Sequence, residues 1–281
     1  MKRELGIFKL TLLIFFSLVV AILLYPVLKM ILFSFQMPRS GDYTLNNYKE
    51  IFTSNLYTTA FKNSISISLI SSFIGLILTT IATYAVISWA PKLREAFLVL
   101  ANLSNNFVGI SLAFGFILLF GNAGVLTVIN QQLGLGILDN FTVYSMTGLL
   151  LVFIYFQLPL GITLIIPIFD ALEKNWRESA EILGANTFEY WKRIGLPVLA
   201  PHLLAVFSIM FANAMGAYDS AVALTGNATN LVSIRIASTV SGDIFAKPEI
   251  GSAVAVILGI TLAVNMMISR WMVSRIRRDI Q

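Results

Sequence analysis

The chain has 281 residues, of which 57% are hydrophobic and only 12% charged, and its mean hydropathy is +0.83. A soluble domain carries about 25% charged residues, so the composition points to a membrane protein. There is no Cys and a single His, His202, which excludes disulfides, thiolate metal sites and chemistry that needs several imidazoles. The formal charge of +5 comes from basic residues at the edges of apolar runs, a pattern of membrane topology rather than of nucleic-acid binding.

Six windows are long and apolar enough to span a bilayer as helices: 10–35, 63–90, 96–120, 143–169, 197–224 and 250–272. The first follows Lys2 and Arg3, as a signal peptide would. It is longer than such a segment, and no small-x-small cleavage pattern follows before Tyr43, so an uncleaved span is expected. In the loop after it, Leu45, Tyr48 and Phe52 recur at helical spacing, which predicts a short surface helix.

The second window carries Ser64, Ser68, Ser72, Gly75, Thr79 and Thr83 on one face. Small residues let helix backbones approach closely in lipid, so this face is expected to be buried against protein. The third window holds Asn102, Asn105 and Asn106 followed by Gly109. The fourth has Gln157, Pro159 and Pro167, and each proline removes a backbone donor from the helix. The fifth has His202 beside Pro201, then Asn213 and Asp219, the one acid well inside an expected span. Polar groups at membrane depth face protein or a water-filled path. Asn105, Asn106, Gln157, Asn213 and Asp219 are therefore candidates for a substrate pathway, and interhelical hydrogen bonding is the other use of such residues. His202 is expected to be structural or interfacial. No internal repeat is evident, so residues 1–281 read as a single integral membrane domain with a transmembrane core at 60–272.

Basic residues set the orientation. With the N-terminus inside, thirteen Lys and Arg fall in inner segments and five in outer ones. Both termini are then cytoplasmic, as is the charged stretch 171–196 between the fourth and fifth spans.

That stretch reads as two short helices. Leu172, Trp176, Ala180 and Leu183 share one side of the first. Glu173 with Arg177, and Lys174 with Glu178, lie four apart on the other and can pair, at about 0.2–0.5 kcal/mol each. Gly184 is placed to end this helix. Asn186 and Glu189 have capping-box spacing for the next, whose apolar side is Phe188, Trp191 and Ile194. Gly195, Leu196 and Pro197 are expected to stop it before the fifth span. Trp176 and Trp191 are expected to pack at the span ends.

The spacing is more specific than amphipathicity requires. Glu178-Ser179-Ala180, three residues (Glu181 to Leu183), Gly184, nine residues (Ala185 to Arg193), Ile194, one residue, then Leu196-Pro197 resembles the EAA motif of permease subunits of bacterial binding-protein-dependent ATP-binding-cassette (ABC) importers. Ser179 for the first Ala of that motif is the one departure. Pro201 and the NYKEIF stretch before the second span extend the likeness, and the GAYDSAVALTG stretch is similar to the polyamine, iron, thiamine and phosphonate branch.

The resemblance implies an all-α membrane protein of six transmembrane helices, the type I importer permease (MetI-like) fold with a cytoplasmic coupling helix. It implies no catalytic or metal site in this chain; ATP and Mg would be bound by a partner ATPase dimer. Glu178, Ser179, Ala180, Glu181, Leu183, Gly184, Ala185, Ile194, Leu196 and Pro197 would couple to that ATPase, with Glu178 either in a polar contact there or paired to Lys174. It further implies a second permease, a hetero-pair being expected over a homodimer. An extracytoplasmic binding protein would dock on outer loops 121–142 and 225–249, and the location would be the bacterial inner membrane. A secondary carrier or channel would explain the polar span residues equally well but leaves the cytoplasmic spacing unexplained. An intramembrane hydrolase lacks the histidines it would need.

Overall fold

The computed structural model describes residues 2–38, 41–169, 172, 174–241 and 246–280. The helices, in chain order, are α1 (Lys2–Ser34), α2 (Asn46–Thr53), α3 (Asn55–Trp89), α4 (Arg94–Asn105), α5 (Ile110–Phe120), α6 (Val125–Gln132), α7 (Met146–Phe169), α8 (Lys174–Ile182), α9 (Thr187–Tyr190), α10 (Leu196–Gly216), α11 (Asp219–Thr225), α12 (Val232–Val240) and α13 (Pro248–Ile280). Six stretches among them are long and apolar enough to cross a membrane, and the chain is a multi-pass membrane protein.

The described residues divide into two compact units, Met1–Thr58 with Arg235–Ile260, and Thr59–Ile234 with Thr261–Gln281. In the first unit, α1 is apolar all round and its window buries nothing within the chain. Such a helix is left to lipid or to another protein. The last turn of α1 is closed from α2. The Asn47 amide donates to the carbonyls of Ser34 (2.9 Å) and Gln36 (2.8 Å), and the Ser34 and Tyr48 hydroxyls share a hydrogen bond of 2.7 Å. Orphan carbonyls at a helix end are thereby satisfied by a neighbour. The expected surface helix is present, but its buried side is Asn47 and Ile51. Leu45 and Phe52 stand exposed, because capping α1 turns Asn47 inward.

The second unit is organised on α7. Leu149, Val152, Phe153 and Phe156 pack with Leu112, Phe116 and Leu224 at one end, while Ile165 and Phe169 pack with Leu199, Val206 and Met210 at the other. The Ser/Thr stripe of α3 is buried, from Ser64 through Ser68, Ser72, Thr79 and Thr83. Two glycines bring α3 and α7 together. A Cβ on Gly75 would stand 2.9 Å from the Gln157 Cβ, and one on Gly161 would stand 2.7 Å from the Thr79 side chain. Close approach through small residues is how helices associate where no water drives them together.

Two expected spans are rearranged. The third apolar stretch is not a continuous helix over 96–120. α4 ends at Asn105, Gly109 takes φ +73°, and α5 begins at Ile110, so the apolar stretch runs over Ile110–Gln132. Asparagines offer the backbone competing hydrogen bonds, and only glycine enters positive φ at little cost. The Asn106 amide bonds back to the Asn102 carbonyl at 2.9 Å. The fifth stretch likewise stops at Gly216, and α11 starts afresh at Asp219. The segment after α5 is ordered around buried Asn130, which accepts from the amides of Ile137 and Leu138 and donates to Asp139.

Candidate functional site

Two regions gather the residues singled out in the sequence. The first is the corner between α8 and α9. The Ala185 N–H donates to the Ala180 carbonyl (2.9 Å) and the Gly184 N–H to that of Glu181 (3.0 Å), with Gly184 at φ +83°. This is a Schellman closure, and it needs a residue that tolerates positive φ. One residue further, the Asn186 side chain accepts from the Glu189 N–H (2.9 Å) while the Glu189 carboxylate accepts from the Asn186 N–H (3.1 Å). The capping box spelled by those two residues is therefore formed, and both sides of the corner are fixed by local bonds.

The second helix does not stop at Gly195, Leu196 and Pro197. A single wide turn over Trp191–Gly195, in which the Leu196 N–H reaches the Trp191 carbonyl, carries α9 directly into α10. The offset arises at Gly195, where a Cβ would stand 2.5 Å from the Trp191 ring. Such π turns insert one residue into a helix without ending it. Trp191 is pinned in turn by Tyr84 (ring centroids 5.0 Å apart, edge to face), Phe169 (6.4 Å) and Tyr190 (5.6 Å). Edge-to-face pairs of this kind contribute about 0.5–1.5 kcal/mol beyond their burial. The corner is thus joined to the membrane helix by continuous helical backbone.

The corner's surface departs from the expected amphipathic split. Ala180 is buried, but Ile182, Leu183 and Phe188 are 85%, 86% and 73% exposed. Glu178, Ser179 and Glu181 are exposed as well. Arg177 pairs with Glu181 at 3.1 Å. Glu173 and Asp170 lie outside the described residues, as does the Lys174 side chain, so the two expected pairs fall there.

The second region is a cavity of about 310 Å³ where the two helix breaks meet, bounded by Gly109, Phe156, Asn213, Tyr218, Asp219 and Ser220 among others. The breaks touch. A Cβ on Gly109 would lie 3.4 Å from the Asp219 Cβ, and the Ser220 hydroxyl donates to the Gly109 carbonyl at 3.2 Å. Broken helices in a bilayer are tolerated where they line a cavity, which supplies partners for the freed backbone groups.

Of the five polar candidates, Asn213 and Asp219 meet in this cavity. Gln157 does not line it. Fully buried, it donates from Nε2 to the Ser72 hydroxyl (2.9 Å) and the Met210 carbonyl (2.8 Å), tying α7 to α3 and α10. Asn105 faces the Thr163 hydroxyl at 3.5 Å, and Asn106 is exposed at the end of α4. Sequence reading missed Phe156 and Tyr218 as cavity walls. The available signal was Gly216 three residues before Asp219, a helix stop hidden in an apolar run.

No family model matches the chain. It is 28% identical over 272 residues to the spermidine/putrescine transport system permease protein PotB of Haemophilus influenzae, covering 92% of this chain and 91% of that one. Over 226 residues it is 26% identical to the trehalose transport system permease protein SugB of Mycobacterium tuberculosis, covering 80% and 76%. Its fold matches that of a chain in the crystal structure of a bacterial ABC transporter involved in the import of the acidic polysaccharide alginate. There the TM-score is 0.74 at 17% identity, over 98% of this chain and 96% of the other. The fold is that of a type I importer permease. In sequence the chain is thus similar to permease proteins of solute transport systems, and in fold to a chain of a bacterial ABC importer.

Proposed function

We propose that residues 171–196 are the handle by which a partner ATPase moves this permease. Residues 1–281 act as one permease domain with its membrane core at 60–272, and the chain supplies half of the translocation path. What carries the reading is the exposed apolar trio Ile182, Leu183 and Phe188 on a corner otherwise rich in charge. Leaving three large side chains in water forgoes about 1.5–3 kcal/mol each relative to burial, a cost removed when a second protein covers them. Glu178, Ser179, Glu181 and Ala185 surround that trio. Ala180, Gly184, Ile194, Leu196 and Pro197 set the backbone that presents it. A push on the corner passes along the α9–α10 backbone into the membrane instead of being absorbed by a loop.

ATP and Mg are then bound and turned over in the partner ATPase dimer, and this chain performs no chemistry of its own. Substrate arrives from an extracytoplasmic binding protein on the outer side, in keeping with a periplasmic protein bound to a bacterial alginate transporter of the same fold. The second permease is a different chain, the membrane is the bacterial inner membrane, and both termini lie in the cytoplasm. The path includes the cavity at Asn213 and Asp219; Gln157 lies on α7, which also supplies Phe156 to that cavity, and Asn105 and Asn106 stand at the end of α4, before the Gly109 break.

The test is purification of the tagged chain from its native membranes. An ATPase subunit co-purifies with the wild type and is lost from Leu183→Asp. A stable, ATPase-free protein that transports in liposomes would replace this reading with a secondary carrier or channel.

A further inference from the structure

We infer that the cavity between the two helix breaks is a site for a small organic cation, an ammonium-bearing solute. The inference rests on the reading of this cavity as part of the translocation path. Among the described lining residues Asp219 carries the only formal charge, and no Lys, Arg or His is present. An anion would therefore meet a carboxylate with nothing to compensate it. The remaining chemistry also suits a cation. Asn213 offers an amide oxygen, and Phe156 and Tyr218 offer ring faces, to which a desolvated ammonium is drawn. The volume of about 310 Å³ sits at the small end of ligand pockets.

Helix ends decide the sign of the field. α10 ends at Gly216, so its C-terminus adds about half a negative charge beside the Asp219 carboxylate. The N-termini of α5 and α11 oppose this with about half a positive charge each. The balance stays negative by roughly half a unit, and the removable part of it is Asp219. That residue falls at the start of α11, beside Gly109.

The chain has no native cysteine, so the field can be read with a single thiol. Asn213→Cys is made in the assembled transporter in proteoliposomes. Its modification by a cationic (trimethylammonium-ethyl) and an anionic (sulfonato-ethyl) methanethiosulfonate is followed by the mass of this chain. The ratio of rates is normalised to that of a small free thiol. The expected result is a normalised ratio above one that drops about tenfold in Asn213→Cys/Asp219→Asn. That drop is the size for unit charges about 6 Å apart in water-like surroundings. Millimolar putrescine should slow the modification, and trehalose should not. A ratio near one with Asp219 present, or a ratio unmoved by Asp219→Asn, overturns the cation site and leaves the path reading standing. No reaction with either reagent, with or without ATP, means the cavity is closed to water and overturns both.

Discussion

The corner between α8 and α9 and the cavity between the two helix breaks both turn on a glycine at positive φ, Gly184 at +83° and Gly109 at +73°, yet they are held in different ways. Around Gly184 every stabilising bond spans five residues or fewer, between Ala180 and Ala185, Glu181 and Gly184, and Asn186 and Glu189. Around Gly109 local bonds such as that of Asn106 to Asn102 are joined by contacts from more than a hundred residues away, at Asp219 and Ser220. The first break is a rigid local unit that presents its apolar residues outward. The second adds to its local bonds the packing of two distant breaks, and it leaves a space between them. A handle needs the first kind of construction, and a path that opens and closes is suited to the second.

The largest expected effect comes from breaking the local unit. In Gly184→Pro the ring fixes φ near −65° and removes the N–H that donates to Glu181, at a cost of about 3 kcal/mol or more confined to the corner. Uptake by reconstituted transporter should fall at least about tenfold while membrane insertion and basal ATP hydrolysis persist. Gly184→Ala, strained by only about 1–2 kcal/mol, should retain most uptake. Equal loss in both variants would mean that the corner is not acting as a rigid body.

A smaller effect is expected where the corner joins the membrane helix. Gly195→Ala places a Cβ against the Trp191 ring, which Tyr84, Phe169 and Tyr190 already hold. Overpacking of this kind costs about 1–3 kcal/mol. Thermal unfolding of the detergent-solubilised complex should move down accordingly, and uptake per ATP hydrolysed should drop. Trp191→Leu in the same chain should restore part of the stability. The smallest effect is expected on the corner's surface. Arg177→Ala removes a half-exposed pair with Glu181, worth about 0.3–0.5 kcal/mol, so neither stability nor uptake should change measurably.

The same contrast explains what the sequence made legible. The stop at Gly184 and the box at Asn186 and Glu189 could be read because their determinants lie within a few positions. The buried Ser/Thr stripe of α3 could be read because helical periodicity reports a face directly. The break before Asp219 was marked only by Gly216 in a largely apolar run, and its interruption is stabilised across the fold at Gly109. The wide turn at Trp191–Gly195 was hidden for a related reason. Gly195 and Pro197 usually end a helix, and only the placement of the Trp191 ring shows that here the helix continues. Periodicity places Leu183 and Phe188 on the apolar sides of their helices. Their exposure, 86% and 73%, shows that no other described residue of the chain covers them.

The central claim is that a second protein covers the corner, and the cysteine-free background allows it to be measured at one atom. Leu183→Cys is introduced; one sample of the isolated chain is labelled with a reagent that has a thiol-directed end and a photoreactive end, reassembled with the ATPase and illuminated, and an unlabelled sample is compared in the assembled and isolated states. The account predicts a covalent product between this chain and the ATPase subunit, with the introduced thiol shielded from a water-soluble maleimide in the complex and open to it in isolation. Equal labelling in both states with no cross-linked product would contradict it.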